Sequence, residues 1–278
     1  MKWKDSINYQ KKNFKMKIEK VIFTIDNNPH YKGFWKSISK HYKTRLNMDC
    51  KLFIIGDNVD VNDYDDTYGE LESVDLVKGV PSIIQALIGK FYFTITEPET
   101  IWKIGDLDLY PLQKSHFTDS IENISDDMYI HLNPHAYGIN WRQSFEGLAG
   151  YYHVAKGKVF EEALKFKNKS FSDVVNEIYK SKMWGIKFHG IVPNNANKQA
   201  SDFWGWFCCE EMYTGDLLKN YNKLVEIPPS LGEYNRIDRS HMKYNLDLIS
   251  QNYYIDLHSP RPYEHHKEEI ENIISHVK

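Results

Sequence analysis

Three short apolar runs, each stopping at polar residues and separated by helix-spaced segments, constrain the fold of this chain more than any other feature. Val21-Ile22-Phe23-Thr24-Ile25 stops at Asp26-Asn27-Asn28-Pro29, Lys51 to Ile55 stops at Gly56-Asp57, and Ile101-Trp102-Lys103-Ile104 stops at Gly105-Asp106. Apolar runs of this length bounded by turn residues read as buried strands. Between the first two, Phe34, Ile38, Tyr42 and Leu46 recur at steps of four, one face of a helix running from Tyr31 to Met48. A strand, helix, strand unit implies parallel strands joined by a right-handed crossover. Val74-Asp75-Leu76-Val77 reads as a short further strand. Pro81 then opens a helix through Ser82, Ile84, Leu87, Ile88 and Phe91 that ends before Pro98. The expected architecture is a mixed, mainly parallel α/β sheet flanked by helices.

Beyond the fourth strand the pattern is less regular. Met128 to Leu132 reads as a strand, Lys158 to Phe166, Ser172 to Lys180 and Glu210 to Leu218 as helices, and Tyr253-Tyr254-Ile255 as a strand. The span from Trp184 to Trp206 is dense in Gly, Asn and aromatic residues, as loops over a pocket are. Ile270, Ile273, Ile274 and Val277 carry helical spacing into a terminal packing helix.

Composition narrows the function classes. The 278 residues are 41% hydrophobic and 14% aromatic, enough for a full core, which argues against disorder. A formal net charge of -3 argues against a strongly electrostatic nucleic-acid binder, while leaving room for a local basic groove. The densest basic cluster, Lys165, Lys167, Lys169, Lys180, Lys182 and Lys187, reads first as a solvated face. Cys50, Cys208 and Cys209 offer neither a C-x-x-C metal spacing nor a disulfide framework, which fits a reducing compartment. The lysine-rich stretch from Met1 to Lys20 has no apolar run long enough for a signal peptide or a spanning helix, so a cytoplasmic location is expected.

The candidate chemistry begins at Asp106-Leu107-Asp108, just past the Ile101 to Ile104 run. If the strand continues through them, alternation turns both carboxylates to one face, where hard oxygen ligands can converge on a divalent cation. Side-by-side burial of two carboxylates needs such a cation or a proton, because like charges repel and each loses hydration. A surface turn is the competing reading of so short a pattern. Open α/β sheets bind ligands at the carboxyl ends of their strands, which is where this pair falls.

With that order of parts, the chain from Val21 to Arg261 resembles the GT-A glycosyltransferases, which move a sugar from a nucleotide diphosphate donor to an acceptor. The resemblance rests on the strand end Thr24-Ile25-Asp26-Asn27, on Lys90 in the helix before the next strand, and on Asp106-x-Asp108. It extends through Gly150-Tyr151-Tyr152-His153-Val154-Ala155-Lys156-Gly157-Lys158-Val159-Phe160, through Trp204-Gly205-Trp206-Phe207-Cys208-Cys209-Glu210-Glu211-Met212-Tyr213, and to Asp256-Leu257-His258-Ser259-Pro260-Arg261. It implies one Rossmann-like GT-A domain, with a nucleotide-sugar half over residues 21–115, an acceptor half over 116–258, and a tail and helix over 259–278. Thr24, Asp26 and Asn27 are then the nucleoside cradle, and Lys90 a donor contact. Asp106, Asp108 and His258 are the metal ligands, and Glu211 or Glu210 acts at the sugar. Trp184, His189, Trp204 and Trp206 are expected on the acceptor side, where aromatic faces suit sugars; a plain core role for the tryptophans weighs equally.

On this reading a divalent ion, Mn²⁺ or Mg²⁺, stabilises the departing diphosphate, and Arg261 and Lys90 add charge to the same phosphates. The donor implied is a UDP-sugar. The acceptor is a glycan or glycolipid, or, should the protein be viral and act in a host cytoplasm, a hydroxylated or already glycosylated DNA base, as its lysine- and Asn-rich character would suit in a bacteriophage. Two other classes stay open: a non-catalytic module that binds nucleotide sugars, and a metal-dependent phosphohydrolase or nuclease.

Overall fold

The computed structural model describes residues 15–26, 28–134, 136, 147–181, 209–228 and 235–278. Strands β1 (Lys20–Ile25), β2 (Asp49–Ile55), β3 (Glu70–Val74) and β4 (Ile101–Ile104) form the parallel half of a mixed sheet. β6 (Tyr129–Leu132), β7 (His153–Lys156) and β8 (Leu224–Ile227) complete it in the order β3-β2-β1-β4-β7-β6-β8. β7 runs antiparallel to both β4 and β6, and β8 runs parallel to β6. A second, three-stranded sheet joins β5 (Leu109–Pro111), β10 (Asp256–His258) and β9 (Arg236–Asp238), in the order β5-β10-β9.

Alternation along β1 sorts its side chains into two cores. Val21, Phe23 and Ile25 belong to one apolar cluster with Phe34 and Ile38 of α2 (Phe34–His41) and with Ile270 and Ile273 of α9 (Tyr263–Ser275). Ile22 lies in the other, with Ile84, Ile88 and Phe91 of α3 (Ser82–Tyr92). Each such buried side chain contributes roughly 1.5–3 kcal/mol, so both faces of the parallel strands are firmly anchored. The remaining helices are α1 (Pro29–Lys32), α4 (Lys114–Phe117), α5 (Gly157–Ala163), α6 (Phe171–Ser181), α7 (Cys209–Leu218) and α8 (Leu246–Ser250). No helix among the described residues is long and apolar enough to cross a membrane.

The expected elements of the first hundred residues are present, with corrections. The single helix from Tyr31 to Met48 is instead α1, α2 and a π-helical turn over Tyr42–Leu46, which still buries Phe34, Ile38, Tyr42 and Leu46. The strand read at Val74 to Val77 lies earlier, at β3, whose sequence ELESV is mostly polar. An edge strand is held by backbone pairing to its neighbour and needs few apolar side chains. Here Lys51 reaches Glu72 at 2.9 Å and Lys20 reaches Glu70 at 3.2 Å across the edge. The strand read at Tyr253 to Ile255 is displaced to β10, because the Tyr253 N–H turns back to the Leu248 carbonyl of α8, backbone bonds to Asn235 and Leu112 begin at Ile255, and the ladder runs from Asp256 opposite Pro111 and Arg236. Strands β5, β7, β8 and β9 carry no clear sequence signal of their own.

Candidate functional site

The site forms where the chain leaves β4. Gly105 donates its backbone N–H to the Ile22 carbonyl at 2.9 Å, and a Cβ on it would lie 2.4 Å from the Phe23 ring. Glycine is required there for the chain to cross so close to β1. Residues 105–108 then form a turn, closed by Leu109 N–H on the Asp106 carbonyl at 3.1 Å, rather than a continuing strand. The expectation that alternation turns Asp106 and Asp108 to one face is therefore corrected. The turn gives the two carboxylates different partners.

Asp106 faces the large sheet. Its Oδ1 accepts from Lys90 Nζ at 2.7 Å, and the same ammonium lies 3.6 Å from Glu210 Oε1. Lys90, in the last turn of α3, is buried, and so is Glu210 at the start of α7. Burial opposes the Lys90 charge, but Asp106 and Glu210 outweigh it and hold its pKa above the usual lysine value. Burial pushes the Glu210 carboxyl well above the carboxylate range, with Lys90 pulling the other way. Glu210 Oε2 is buried without a hydrogen-bond partner among the described residues. Glu211 is also buried, so adjacency on the helix has not exposed either glutamate. Its Oε1 accepts from Gly150 N–H at 3.3 Å. A Cβ on Gly150 would meet Glu210 Oε1 at 3.1 Å and Lys90 Nζ at 3.2 Å, so the absent side chain lets the 147–152 segment close over the pair.

Asp108 faces the small sheet. Its Oδ2 accepts from Arg239 Nη1 at 2.8 Å, with Arg261 Nε at 3.4 Å and His258 Nε2 at 3.7 Å. Strand register explains the convergence. His258 sits opposite Leu109 on one side and opposite Asp238 on the other, which places its ring between Asp108 and Asp238. Its Nδ1 lies 3.0 Å from Asp238 Oδ2, a contact that holds the Asp238 carboxyl well below its ordinary range. Ser259 fastens the turn from below, its N–H and Oγ both donating to the Asp108 carbonyl at 2.8 and 2.9 Å. Burial raises the Asp108 carboxyl pKa against the pull of His258 and Arg239. The Arg261 guanidinium lies over the Tyr31 ring at 4.9 Å, and burial lowers its pKa.

At the end of β1, Asp26 accepts from Ser82 Oγ at 2.8 Å, while the Thr24 hydroxyl donates to the Ala86 carbonyl on α3. Asn27, Trp184, His189, Trp204 and Trp206 lie outside the described residues. Of the lysine cluster, Lys165, Lys167 and Lys180 are exposed, Lys169 pairs with Glu177 at 2.5 Å, and Lys182 and Lys187 lie outside the described residues.

The residues that would hold a divalent cation here are Asp108 and His258. With Nδ1 engaged by Asp238, His258 presents Nε2 towards Asp108 Oδ2, the arrangement in which a second carboxylate orients a ligating imidazole. Among the described residues no group of three His, Cys, Asp or Glu is gathered to hold a metal. Two protein donors, with Asp106 held by Lys90 across the turn, suit a cation that takes the rest of its shell from phosphate oxygens and water.

Several contributors escaped the sequence reading. Arg239 and Asp238 lie in an undistinguished stretch and matter only because β9 pairs with β10. Lys103, read as part of an apolar strand, is fully buried beneath the turn, donating to Tyr42 Oη at 3.0 Å, the Ile104 carbonyl at 2.9 Å and the Tyr151 carbonyl at 3.2 Å. Burial lowers its pKa to about 7 despite Asp106 and Asp256 nearby. A lysine inside an apolar run is a visible signal in retrospect. Asp256 accepts from Arg236 Nε at 2.8 Å and from the Tyr152 hydroxyl, tying the small sheet to the start of β7.

No protein-family model matches the chain, and no curated protein matches its sequence.

Proposed function

We propose that this site transfers a sugar from a nucleoside diphosphate sugar, UDP-linked in the first instance, to an acceptor hydroxyl. One observation carries the reading: the Asp106-Leu107-Asp108 turn at the carboxyl end of β4 divides a buried acid–base group, Lys90 and Glu210, from two guanidinium groups, Arg239 and Arg261, gathered with His258 around Asp108. Sugar transfer needs both, a positive environment for the departing diphosphate and a proton acceptor for the incoming hydroxyl. The order of motifs shared with GT-A glycosyltransferases supports the same assignment.

Arg239 and Arg261 offer guanidinium groups about a quarter exposed, which suits them to phosphate oxygens approaching from solvent. Asp108 and His258 would hold a divalent cation beside them, with Asp106 across the turn, and when bound that ion would supply Lewis-acid stabilisation of the leaving group. Lys90 keeps Asp106 and Glu210 from repelling each other and fixes where both carboxylates lie. Glu210 is the proposed proton acceptor in preference to Glu211. Its Oε2 has no partner among the described residues, and burial makes it more basic than an ordinary carboxylate, whereas Glu211 is engaged by the Gly150 amide. Asp26 and Thr24, at the neighbouring strand end and bonded to Ser82 and Ala86 of α3, would meet the nucleoside.

The test is incubation with a panel of nucleotide sugars and Mn²⁺ or Mg²⁺, reading nucleoside diphosphate release and mass shifts on glycan acceptors and on hydroxymethylated DNA. Asp108→Ala is expected to reduce transfer by about a hundredfold or more, several kcal/mol of lost leaving-group stabilisation. Undiminished transfer in that variant would remove Asp108 from the mechanism. UDP binding without turnover on any acceptor would make the chain a binding module.

A further inference from the structure

The three groups around Asp108 are not equivalent. Arg261 has a second anchor in the Tyr31 ring, and His258 has one in Asp238. Among the described residues, the Arg239 side chain has a hydrogen bond only to Asp108 Oδ2, at 2.8 Å. It extends from the turn after β9, where Asp238 Oδ1 accepts from Ser240 N–H at 2.9 Å and from Ser240 Oγ at 2.5 Å, so the backbone that carries it is fixed, and re-aiming the guanidinium breaks one side-chain hydrogen bond among the described residues. Asp108 is 5% exposed at its side chain and Arg239 is 25% exposed, so the pair spans from the interior to solvent.

The charges count in the same direction. One buried carboxylate faces two guanidinium groups, while the imidazole Nδ1 lies against Asp238. The charge of Asp108 is therefore already met by arginine before anything binds. The oxygen that Arg239 occupies is also the one lying 3.7 Å from His258 Nε2, so it is the oxygen that these two donors would share in holding a divalent cation. Arg239 and such a cation repel each other there unless an anion joins them. A diphosphate is that anion, because it can take the Arg239 guanidinium in a two-pronged contact and bridge to the cation with its other oxygens.

We propose that Arg239 is a placeholder: it neutralises Asp108 until a nucleoside diphosphate arrives, then transfers to the phosphates and vacates Asp108 for the divalent cation. The inference rests on the sugar-nucleotide reading of this site and deepens it. It makes cation and nucleotide bind as a coupled pair, each raising the affinity of the other by the same factor, as linkage requires. It also assigns a specific function to the small sheet, whose β9 exists to bring this arginine to a turn made by β4.

The experiment measures binding rather than turnover, with UDP and Mn²⁺ as probes. Calorimetry gives UDP affinity with and without Mn²⁺, and the free-ion signal in electron paramagnetic resonance gives Mn²⁺ affinity with and without UDP. For the wild-type chain the expected result is weak Mn²⁺ binding alone and strong mutual enhancement with UDP. Arg239→Gln is expected to tighten Mn²⁺ binding in the absence of UDP by about tenfold, the scale of one charge-assisted hydrogen bond, and to weaken UDP binding by a similar factor. Opposite signs in one variant are the signature, since a general loss of structure weakens both. Arg239→Lys retains the positive charge and is expected to keep Mn²⁺ binding weak while giving up part of the UDP affinity. UDP binding by the wild type with Mn²⁺ affinity unmoved or weakened in Arg239→Gln overturns the placeholder and leaves the sugar-nucleotide reading standing. No UDP binding by the wild type under any metal condition overturns that reading and the placeholder with it.

Discussion

The two aspartates of one short turn inhabit opposite electrostatic worlds. Asp106 shares a buried lysine with a buried glutamate, so its surroundings are rich in carboxylates and held together by a single ammonium. Asp108 is one carboxylate among two arginines and a histidine; it is itself more buried than Asp106, 5% against 31% exposed, while the two guanidinium groups around it are each about a quarter exposed. The difference follows from which sheet each one faces. The large sheet delivers Lys90 and Glu210 from helices packed on its strands, and the small sheet delivers Arg239 and His258 from strand ends. A sequence pattern that reads as one motif is thus two half-sites with different partners, which under the proposed function would move a proton and receive negative charge respectively.

The comparison is most exposed at the proton-handling end. Glu210→Gln is expected to lower the transfer rate by about 10²–10⁴ while leaving UDP affinity nearly unchanged, with Glu211→Gln costing far less. A base must be deprotonated to act, and burial raises the Glu210 pKa, so the wild-type rate should rise with pH through a range above that of ordinary carboxylates. Glu210→Gln should flatten that limb. Equal losses in the two variants across the pH profile would dissolve the distinction drawn between the adjacent glutamates.

Stability separates the half-sites next. Lys90→Met leaves Glu210 and Asp106 without their shared cation, and urea unfolding is expected to show a loss of about 3–5 kcal/mol, the usual penalty for breaking a buried pair from one side. Arg239→Gln should cost about 1 kcal/mol or less, because the arginine is partly solvated and Arg261 still covers Asp108. Similar costs for both would mean that the cationic half is as tightly built as the buried one.

A smaller effect lies beneath the turn. Lys103 has a folded pKa of about 7 against an ordinary 10.5, so between those values the unfolded chain holds a proton that the folded chain has released. Stability contributed through this group therefore rises with pH across that window, on the order of 2 kcal/mol once relaxation of the site is allowed for. Lys103→Met should remove the rise, seen as a difference in the pH dependence of urea midpoints between variant and wild type. An unchanged difference from pH 7 to 10.5 would show that Lys103 keeps its proton in the fold.

How legible the site was depends on how far apart its parts lie in the chain. The strand ends at Asp26 and Asp106 could be read because apolar runs terminate locally, and Lys90 could be placed on a helix because its neighbours repeat at helical spacing. His258 was singled out, but the strand that positions it was read three residues too early, since Tyr253 is exposed with its N–H turned back to the Leu248 carbonyl, and pairing to Asn235 and Leu112 begins only at Ile255. Arg239 and Asp238 were not singled out at all. Their stretch has no periodicity, and Arg239 meets a partner 131 residues away.

By itself, the sequence determined the alternation of strands and helices from residue 20 to 104, because backbone preference and apolar periodicity are properties of neighbouring residues. It also determined that two carboxylates stand at the end of β4. Only the tertiary structure decided that they part company, since Gly105 ends the strand against Phe23 and the turn that follows aims each at a different sheet. The small sheet's register, which sets His258 between Asp108 and Asp238 and brings in Arg239, is a long-range pairing of three short strands. No local pattern encodes such a pairing, because the free energy that selects it comes from contacts the chain makes only once it has folded.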